Sequence, residues 1–362
     1  MHKEIYEIMH KDKVAAQINA QGHSTIFEPS FLPYDLYLEE EEDIDTLVNN
    51  VINFHCWCAA RVLTLDRAYA KEILNSIGMK QAVTDKERAE IALTYRCASL
   101  TDVYWVRRAG EQISFQEINL YENHLDRTFI DIALKGKQYT VQNEYLSRDL
   151  STNGCFPKAW KREGRNFLLL KDGGNFAVER ELLASKICRC FDVSQVFYEE
   201  GYFDGEKVSV SQNITSIDYA IASMEAVEIY CRNHDKNMKQ YILQLDRHNY
   251  YMMNIIDYLT GNTDRHWGNW GVLVNNKDNK PVCLHPLMDF NKAFHAYDTL
   301  DGANCQTVFW ESMTQKEAAV CAVKEIGLNQ IAEVKQEIFM QLPQYYEMFR
   351  KRMEILRFAT DY

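Results

Sequence analysis

No run of eighteen apolar residues occurs anywhere in this 362-residue chain, and its opening Met1-His2-Lys3-Glu4-Ile5-Tyr6 lacks the apolar centre of a secretory leader. The expectation is therefore a soluble cytoplasmic protein, without membrane association. Positive charge is also short: 40 Lys and Arg stand against 52 Asp and Glu, a formal net charge of −12. Direct nucleic-acid binding by the chain as a whole, which relies on clustered Lys and Arg, is not expected. The local basic stretch from Lys158 through Lys161 and Arg162 to Arg165 suits a nucleotide or a solvated hairpin better. Ten cysteines are present, but Cys56-x-Cys58 and Cys188-x-Cys190 are too sparse and too apolar in setting for a zinc site. A chain this long needs no disulfide staples, so the cysteines read as reduced core thiols. Internal repeats and low-complexity segments are missing too. Neither G-x-G-x-x-G nor G-x-x-x-x-G-K-[ST] appears, which excludes a claim to the eukaryotic protein-kinase loop or a Walker-type loop.

What is present is a catalytic-loop pattern. Gly261-Asn262-Thr263-Asp264-Arg265-His266-Trp267-Gly268-Asn269-Trp270-Gly271 is followed some twenty residues later by Leu287-Met288-Asp289-Phe290-Asn291. Phosphoryl transfer needs a carboxylate beside the attacking hydroxyl, an amide oxygen and a second carboxylate on Mg²⁺, and a cation on the nucleotide phosphates. Asp264, Asn269 and Asp289 meet the first three needs. Residues 270–274 and 281–284 are β-prone and flank a polar turn. Folding the hairpin about that turn brings Asn269 near Asp289, so two oxygen ligands converge. Mg²⁺ takes oxygen ligands at about 2.1 Å and keeps several waters, so two protein ligands and phosphate oxygens suffice. Upstream, residues 246–259 carry Met252, Ile255, Ile256 and Leu259 at helical spacing. Gly261 is placed to cap that helix and deliver Asp264 into a short loop. His266 reads as a structural residue holding the loop.

The remaining cation lies earlier. Ser151-Thr152-Asn153-Gly154, continuing to Lys158, form a small polar segment whose backbone N–H groups can face phosphate oxygens. It leads into the apolar run 167–170, a buried strand that ends at Lys171. Residues 176–191 read as a helix with Leu182, Leu183, Ile187 and Phe191 on its apolar side, and Glu181 near its start can pair with Lys171. The order of loop, strand lysine, helix glutamate and Asp–Asn–Asp is that of a kinase.

These residues resemble the HipA-like serine/threonine kinases and, more distantly, the phosphoinositide kinases. Ser151-x-x-Gly154-x-x-x-Lys158 matches the HipA-like phosphate loop. Glu181-Leu182-Leu183-Ala184-Ser185-Lys186-Ile187 matches the Glu-bearing helix, and Asn262-Thr263-Asp264-Arg265-His266-x-x-Asn269 the catalytic loop. Residues 99–106 and 119–123 resemble the amino-terminal region of short CtkA-type members. The resemblance covers roughly residues 95–300. It implies an ATP- and Mg²⁺-dependent kinase acting on Ser or Thr of a protein substrate. Lys171 would be the nucleotide cation, Asp264 the base, and Asn269 with Asp289 the metal ligands. Ser151, Thr152, Asn153, Gly154, Lys158, Glu181 and His266 would belong to the nucleotide site. It also implies autophosphorylation at Ser151, whose dianionic phosphate would compete with ATP, and it brings in an antitoxin-like partner. Two departures stand out: Asn291 replaces the glycine of Asp-Phe-Gly, where asparagine tolerates a left-handed backbone, and Arg180 replaces an asparagine before the glutamate.

The expected architecture is α+β, a bilobal protein-kinase-like fold with a helical N-terminal extension. Residues 1–150 would pack on or belong to the small lobe, 151–215 would form the strand-rich nucleotide lobe, and 216–362 the mainly helical catalytic lobe. Helical spacing spans 43–75, 85–100, 221–233, 236–259 and, at the finish, 330–356, with Thr314-x-x-Glu317 as a capping box. Two other functions compete. A small-molecule or lipid kinase fits the Asp-Arg-His form, although residues 290–312 carry no basic cluster for a phosphoinositide headgroup. An inactive kinase fold kept as a binding module of a toxin–antitoxin type system is the non-enzymatic alternative.

Overall fold

The computed structural model of the chain describes residues 4–61, 84–123, 158–163, 166–171, 174–203, 205–295, 297–309 and 312–360. The fold is mixed α/β and divides into two compact units. One comprises Met1–Leu169, Thr215–Ile221 and Val274–Lys280, the other Leu170–Ile214, Ala222–Leu273 and Pro281–Tyr362.

In the first unit, β1 (Ile5–His10), β2 (Lys13–Asn19), β3 (Ser24–Ile26) and β4 (Tyr104–Arg108) form a sheet in the order β3-β2-β1-β4. All three pairings are antiparallel, with Ile8 opposite Ala16 on one side and Val106 on the other. Helices α1 (Ile44–Ala60) and α2 (Asp85–Thr94) start on side-chain caps: Asp43 accepts from the N–H of Thr46, and Thr84 with Glu87 makes a capping box. A short α3 (Phe115–Ile118) follows β4. Trp57, Trp105, Tyr95, Ile8 and Met9 make the centre of this core. The amino-terminal region was expected to be helical, and here the structure corrects the sequence. β1 is buried along most of its length and β2 carries adjacent buried alanines, Ala15 and Ala16. β1 lacks the period-two alternation that identifies a half-buried strand, and in β2 it is confined to Ala16–Asn19.

The other strands are β5 (Lys158–Glu163), β6 (Asn166–Lys171), β7 (Tyr198–Phe203) and β8 (Glu206–Gln212) in the order β5-β6-β8-β7, and β9 (Tyr219–Ser223), β10 (Gly271–Asn275) and β11 (Lys280–Leu284) in the order β11-β10-β9. In the second unit, α4 (Asn175–Cys188) precedes the antiparallel β7–β8 hairpin, in which Tyr198 faces Ser211. Next come α5 (Met224–Asn233) and α6 (Met238–Thr260), with α7 (Gln315–Ile326) and α8 (Tyr346–Thr360) after the β10–β11 hairpin. Helix α6 is the spine of this unit. Ile242, Met252, Ile255, Ile256 and Leu259 are fully buried, each contributing about 1.5–3 kcal/mol relative to exposure.

Asp246 interrupts α6 with φ −157° and ψ 73°. Its carboxylate accepts from the backbone N–H of Asn249 at 3.1 Å and from that of Leu284 in β11 at 3.1 Å. It therefore restarts the helix as an N-cap and ties β11 to it. Three boundaries differ from the helical spacing of the sequence. Residues 219–223 are strand, with Ser223 capping α5. Residues 330–356 are not one helix: they hold two 3-10 turns, Gln336–Phe339 and Pro343–Tyr345, before α8 begins at Tyr346. Of the 43–75 stretch, helix covers Ile44–Ala60, and 62–83 lies outside the described residues. No cysteine pairs as a disulfide among the described residues, and no described helix is long and apolar enough to cross a membrane.

Burial pushes the imidazoles of His10 and His285 down to about 4. Between the ordinary histidine value near ~6.5 and that value, the unfolded chain binds more protons than the native one. Stability is full above about pH 6.5 and falls as pH drops toward 4, by about 3 kcal/mol for each histidine. His285→Gln should flatten that acid limb by about one proton's slope in denaturant titrations from pH 7 to 4.5. Parallel curves for variant and wild type would contradict the assignment.

Candidate active site

Strand β6 runs through buried Leu170 and ends at Lys171, which is itself only 8% exposed. Helix α4 turns Leu182, Leu183 and Ile187 into the core and carries Glu181 with them. Lys171 Nζ donates to Glu181 Oε1 at 2.9 Å and to Asp289 Oδ1 at 3.0 Å. Ser209 of β8 donates to the other oxygen of Glu181. The ammonium lies 5.1 Å from the centre of the Tyr198 ring, and the Tyr198 hydroxyl accepts the backbone N–H of Asp289 at 3.0 Å. Burial disfavours this ammonium, but Asp289 and Glu181 more than offset the loss and raise its pKa well above the ordinary lysine value. It stays protonated throughout the neutral range.

The catalytic-loop sequence begins where α6 ends. Gly261 sits at φ 57°, ψ 37°, the left-handed conformation that caps a helix without the cost of about 1–2 kcal/mol a Cβ incurs. Asp264 is 9% exposed, and Lys292 donates to its Oδ1 at 2.7 Å. His266 Nε2 stands 4.0 Å from the same oxygen. His266 Nδ1 accepts the N–H of Gly268 at 3.1 Å, and its carbonyl accepts that of Asn269 at 2.8 Å, a loop-holding role. The side-chain amide of Asn269 donates back to the carbonyl of Asp264 at 2.7 Å. That bond orients the amide, and none of the described residues donates to its Oδ1. Gly271 marks a close approach: a Cβ there would lie 2.0 Å from the Ala222 carbonyl oxygen.

Arg265 holds the loop from inside. It is 2% exposed, and its Nε and Nη2 fork onto Asp257 of α6 at 2.9 and 3.1 Å. Nη1 donates to the carbonyl of Asn269 at 3.0 Å and also to that of Met288. One guanidinium nitrogen thus joins Asn269 to the residue before Asp289, and the hairpin does return the chain to its own start. Asn262 reinforces the junction, donating to Asp257 Oδ1 at 3.2 Å and to the Asp289 carbonyl at 3.5 Å. Beyond it, the Thr263 N–H donates to the Lys292 carbonyl at 3.4 Å and the Phe294 N–H to the Thr260 carbonyl at 2.7 Å.

Within this segment the left-handed residue is Asp289, at φ 61°, and not Asn291 as the sequence led us to expect. The reason is tertiary. The Asp289 N–H is taken by Tyr198 and its carboxylate by Lys171, and together they fix a backbone that aspartate tolerates better than most residues. Lys171, Glu181 and Asp289 are in direct contact, and Asp264, Asn269 and His266 share one loop tied to them through Arg265 and Asn262. Ser151, Thr152, Asn153 and Gly154 lie outside the described residues. Lys158 opens β5, and its side chain lies outside them as well. Arg180 points to Phe176 and Tyr345, with its guanidinium carbon 4.0 Å from the Phe176 ring centre. Residues that sequence reasoning passed over are Lys292, Asp257, Tyr198 and Ser209. Only Lys292, three positions after Asp289, carried a local signal.

No protein-family model and no curated protein matches the chain. Among solved structures, HipA from the Shewanella oneidensis MR-1 toxin–antitoxin system, in complex with HipB and operator DNA, matches over 98% of this chain and 95% of its own, at 10% identity and TM-score 0.51. The Helicobacter pylori proinflammatory kinase CtkA matches over 58% of this chain and 89% of its own, at 14% identity and TM-score 0.43. The chain is similar to HipA in fold.

Arg265→Met should leave Asp257 buried without its counter-charge and cost about 3–5 kcal/mol in chemical denaturation. Arg265→Lys keeps the charge but cannot fork, and should fall between the two. A loss below about 1 kcal/mol for Arg265→Met would contradict the role given to this guanidinium.

Proposed function

We infer that the protein is an ATP- and Mg²⁺-dependent kinase that phosphorylates serine or threonine of other proteins. The observation that carries this reading is the buried trio of Lys171, Glu181 and Asp289, at 2.9 and 3.0 Å, in the same compact unit as the loop bearing Asp264 and Asn269. The HipA-like fold supports it. The reading includes a bilobal kinase arrangement and a cytoplasmic location. It also includes an antitoxin-like partner, and a regulatory phosphorylation of Ser151 detectable by mass spectrometry after incubation with ATP.

The donor set suits a nucleotide and a hard cation. The side-chain oxygen of Asn269 and the carboxylate of Asp289 are the ligand types that Mg²⁺ prefers, and a buried ammonium suits phosphate. ATP with Mg²⁺ supplies an electrophilic phosphoryl group with part of its charge neutralised. Lys171 would bind the nucleotide phosphates, and Glu181, itself fixed by Ser209, keeps that ammonium in place. Asn269 and Asp289 would hold the metal. Asp264 would orient the acceptor hydroxyl and take its proton. Arg265 contributes by keeping the two loop ends in register, and His266 by bracing the loop.

The test is transfer from labelled ATP to a generic protein acceptor with Mg²⁺. Asp264→Asn should lower turnover by roughly 10²–10⁴-fold while leaving nucleotide affinity within about twofold. Asp289→Asn should abolish transfer and also weaken Mg²⁺-nucleotide binding, because it removes both a metal ligand and a partner of Lys171. Equal nucleotide affinity in Asp289→Asn and wild type would contradict the metal assignment. Absence of transfer together with absence of an ATP-induced thermal shift would leave a binding module as the better reading.

A further inference from the structure

We propose that Lys292 is a second phosphate-binding cation, whose ammonium engages the terminal phosphoryl oxygens of a bound nucleoside triphosphate. The inference rests on the nucleotide-site reading above and assigns a residue that the kinase pattern in the sequence does not include.

Charge balance is the first ground. Lys171 is a single positive charge already shared between two carboxylates, Glu181 and Asp289, so that trio is net negative. Asp264 adds another negative charge. Even with Mg²⁺ held by Asn269 and Asp289, a triphosphate brought to such a set would meet a surplus of like charge, which a further cation on the Asp264 side would reduce. Lys292 stands there, with Nζ 2.7 Å from Asp264 Oδ1.

Accessibility is the second. The Lys171 side chain is 10% exposed, whereas that of Lys292 is 34% exposed. Lys171 is locked into the protein. Lys292 is the more exposed of the two cations while it holds Asp264.

The third ground is that Lys292 does not sit on a free loop. Its carbonyl accepts the Thr263 N–H at 3.4 Å, and the Phe294 N–H two residues on donates to the Thr260 carbonyl at 2.7 Å. Asp289 and Phe294, on either side of it, both hold left-handed backbone at φ 61°. A strained segment strapped twice to the start of the catalytic loop fixes where the lysine begins and leaves its four-carbon stem to position the charge.

The experiment is calorimetric titration of the full-length protein, with Mg²⁺, against ADP and against an ATP analogue that cannot transfer its terminal phosphoryl group. A charge-assisted contact to the terminal phosphate corresponds to a loss of roughly 10–100-fold. Lys292→Met should weaken the analogue by that factor and ADP by less than about twofold, while Lys292→Arg should keep most of the analogue's affinity. Lys292→Gln carries the same expectation as Lys292→Met and guards against a substitution that impairs folding. Equal losses for both nucleotides, or no loss for either, would overturn the proposal and leave Lys292 as a brace for Asp264. A wild type that shows the expected binding pattern but no transfer would sink the kinase reading and leave this assignment standing. A wild type that binds neither nucleotide would sink both.

Discussion

One buried guanidinium joins the separate parts of the candidate site. Arg265 reaches Asp257 in the body of α6, the carbonyl of Asn269 at the end of the loop and the carbonyl of Met288 next to Asp289. These groups come from three places in the sequence. Arginine suits the position because its planar fork presents several donors in fixed directions, whereas lysine offers one point of charge. Burial lowers the pKa of this guanidinium, but Asp257 outweighs burial and leaves it raised. The guanidinium is therefore held charged although it is buried, with Asp257 buried beside it. Such a pair is weak evidence for net stability, because desolvation offsets much of the attraction. What it does supply is geometric: the loop and the segment carrying Asp289 cannot move apart without breaking the guanidinium's bond to the Met288 carbonyl.

The site is built as two linked ionic clusters that differ in purpose. Lys171, Glu181 and Asp289 form a buried group in which every charge has a partner inside the protein, with Ser209 and Tyr198 completing the shell. Asp264 and Lys292 form a more open pair. The first is preorganised, since its donors are oriented before any ligand arrives. In the second the cation is the more exposed member, with the Lys292 side chain 34% exposed and that of Asp264 13%. A buried cation beside a more exposed one is a sensible division for a ligand whose charge is concentrated at one end.

Much of this was legible in the sequence, and the failures are of one kind. The lysine after an apolar strand, the glutamate in the following helix and the Asp-Arg-His-x-x-Asn loop are local signals at fixed spacing, and the structure brings Lys171, Glu181 and Asp289 into contact. The Gly261 cap and the capping box at Thr314 were legible for the same reason: each depends on residues within one turn of helix. What stayed hidden depended on distant partners. The amino-terminal sheet escaped notice because β1 lacks alternation, with four consecutive residues buried, and β2 alternates only over its last four residues. Asp257 looks like any polar residue in a helix until Arg265 is folded against it. Asp246 sits inside a continuous helical pattern, and only its bond to Leu284 shows that it is a cap.

The left-handed backbone at Asp289 shows how local and tertiary rules compete. Sequence reasoning gave that conformation to Asn291, the residue standing where a glycine is usual, because asparagine accepts it more readily than most. The structure gives it to the aspartate two positions earlier, whose N–H, carbonyl and carboxylate are each held by a different element through Tyr198, Asn262 and Lys171. A conformational cost of about 1–3 kcal/mol survives only where surrounding contacts over-determine it. Three such contacts converge here, and all belong to the side chains proposed to handle metal and phosphate or to the groups that brace them. The strain is thus located at the residue whose carboxylate has to point in one direction, and relaxing it would turn that carboxylate away from Lys171. Propensity alone cannot locate such a residue, because the work is done by partners about 25 to 120 positions away in the chain.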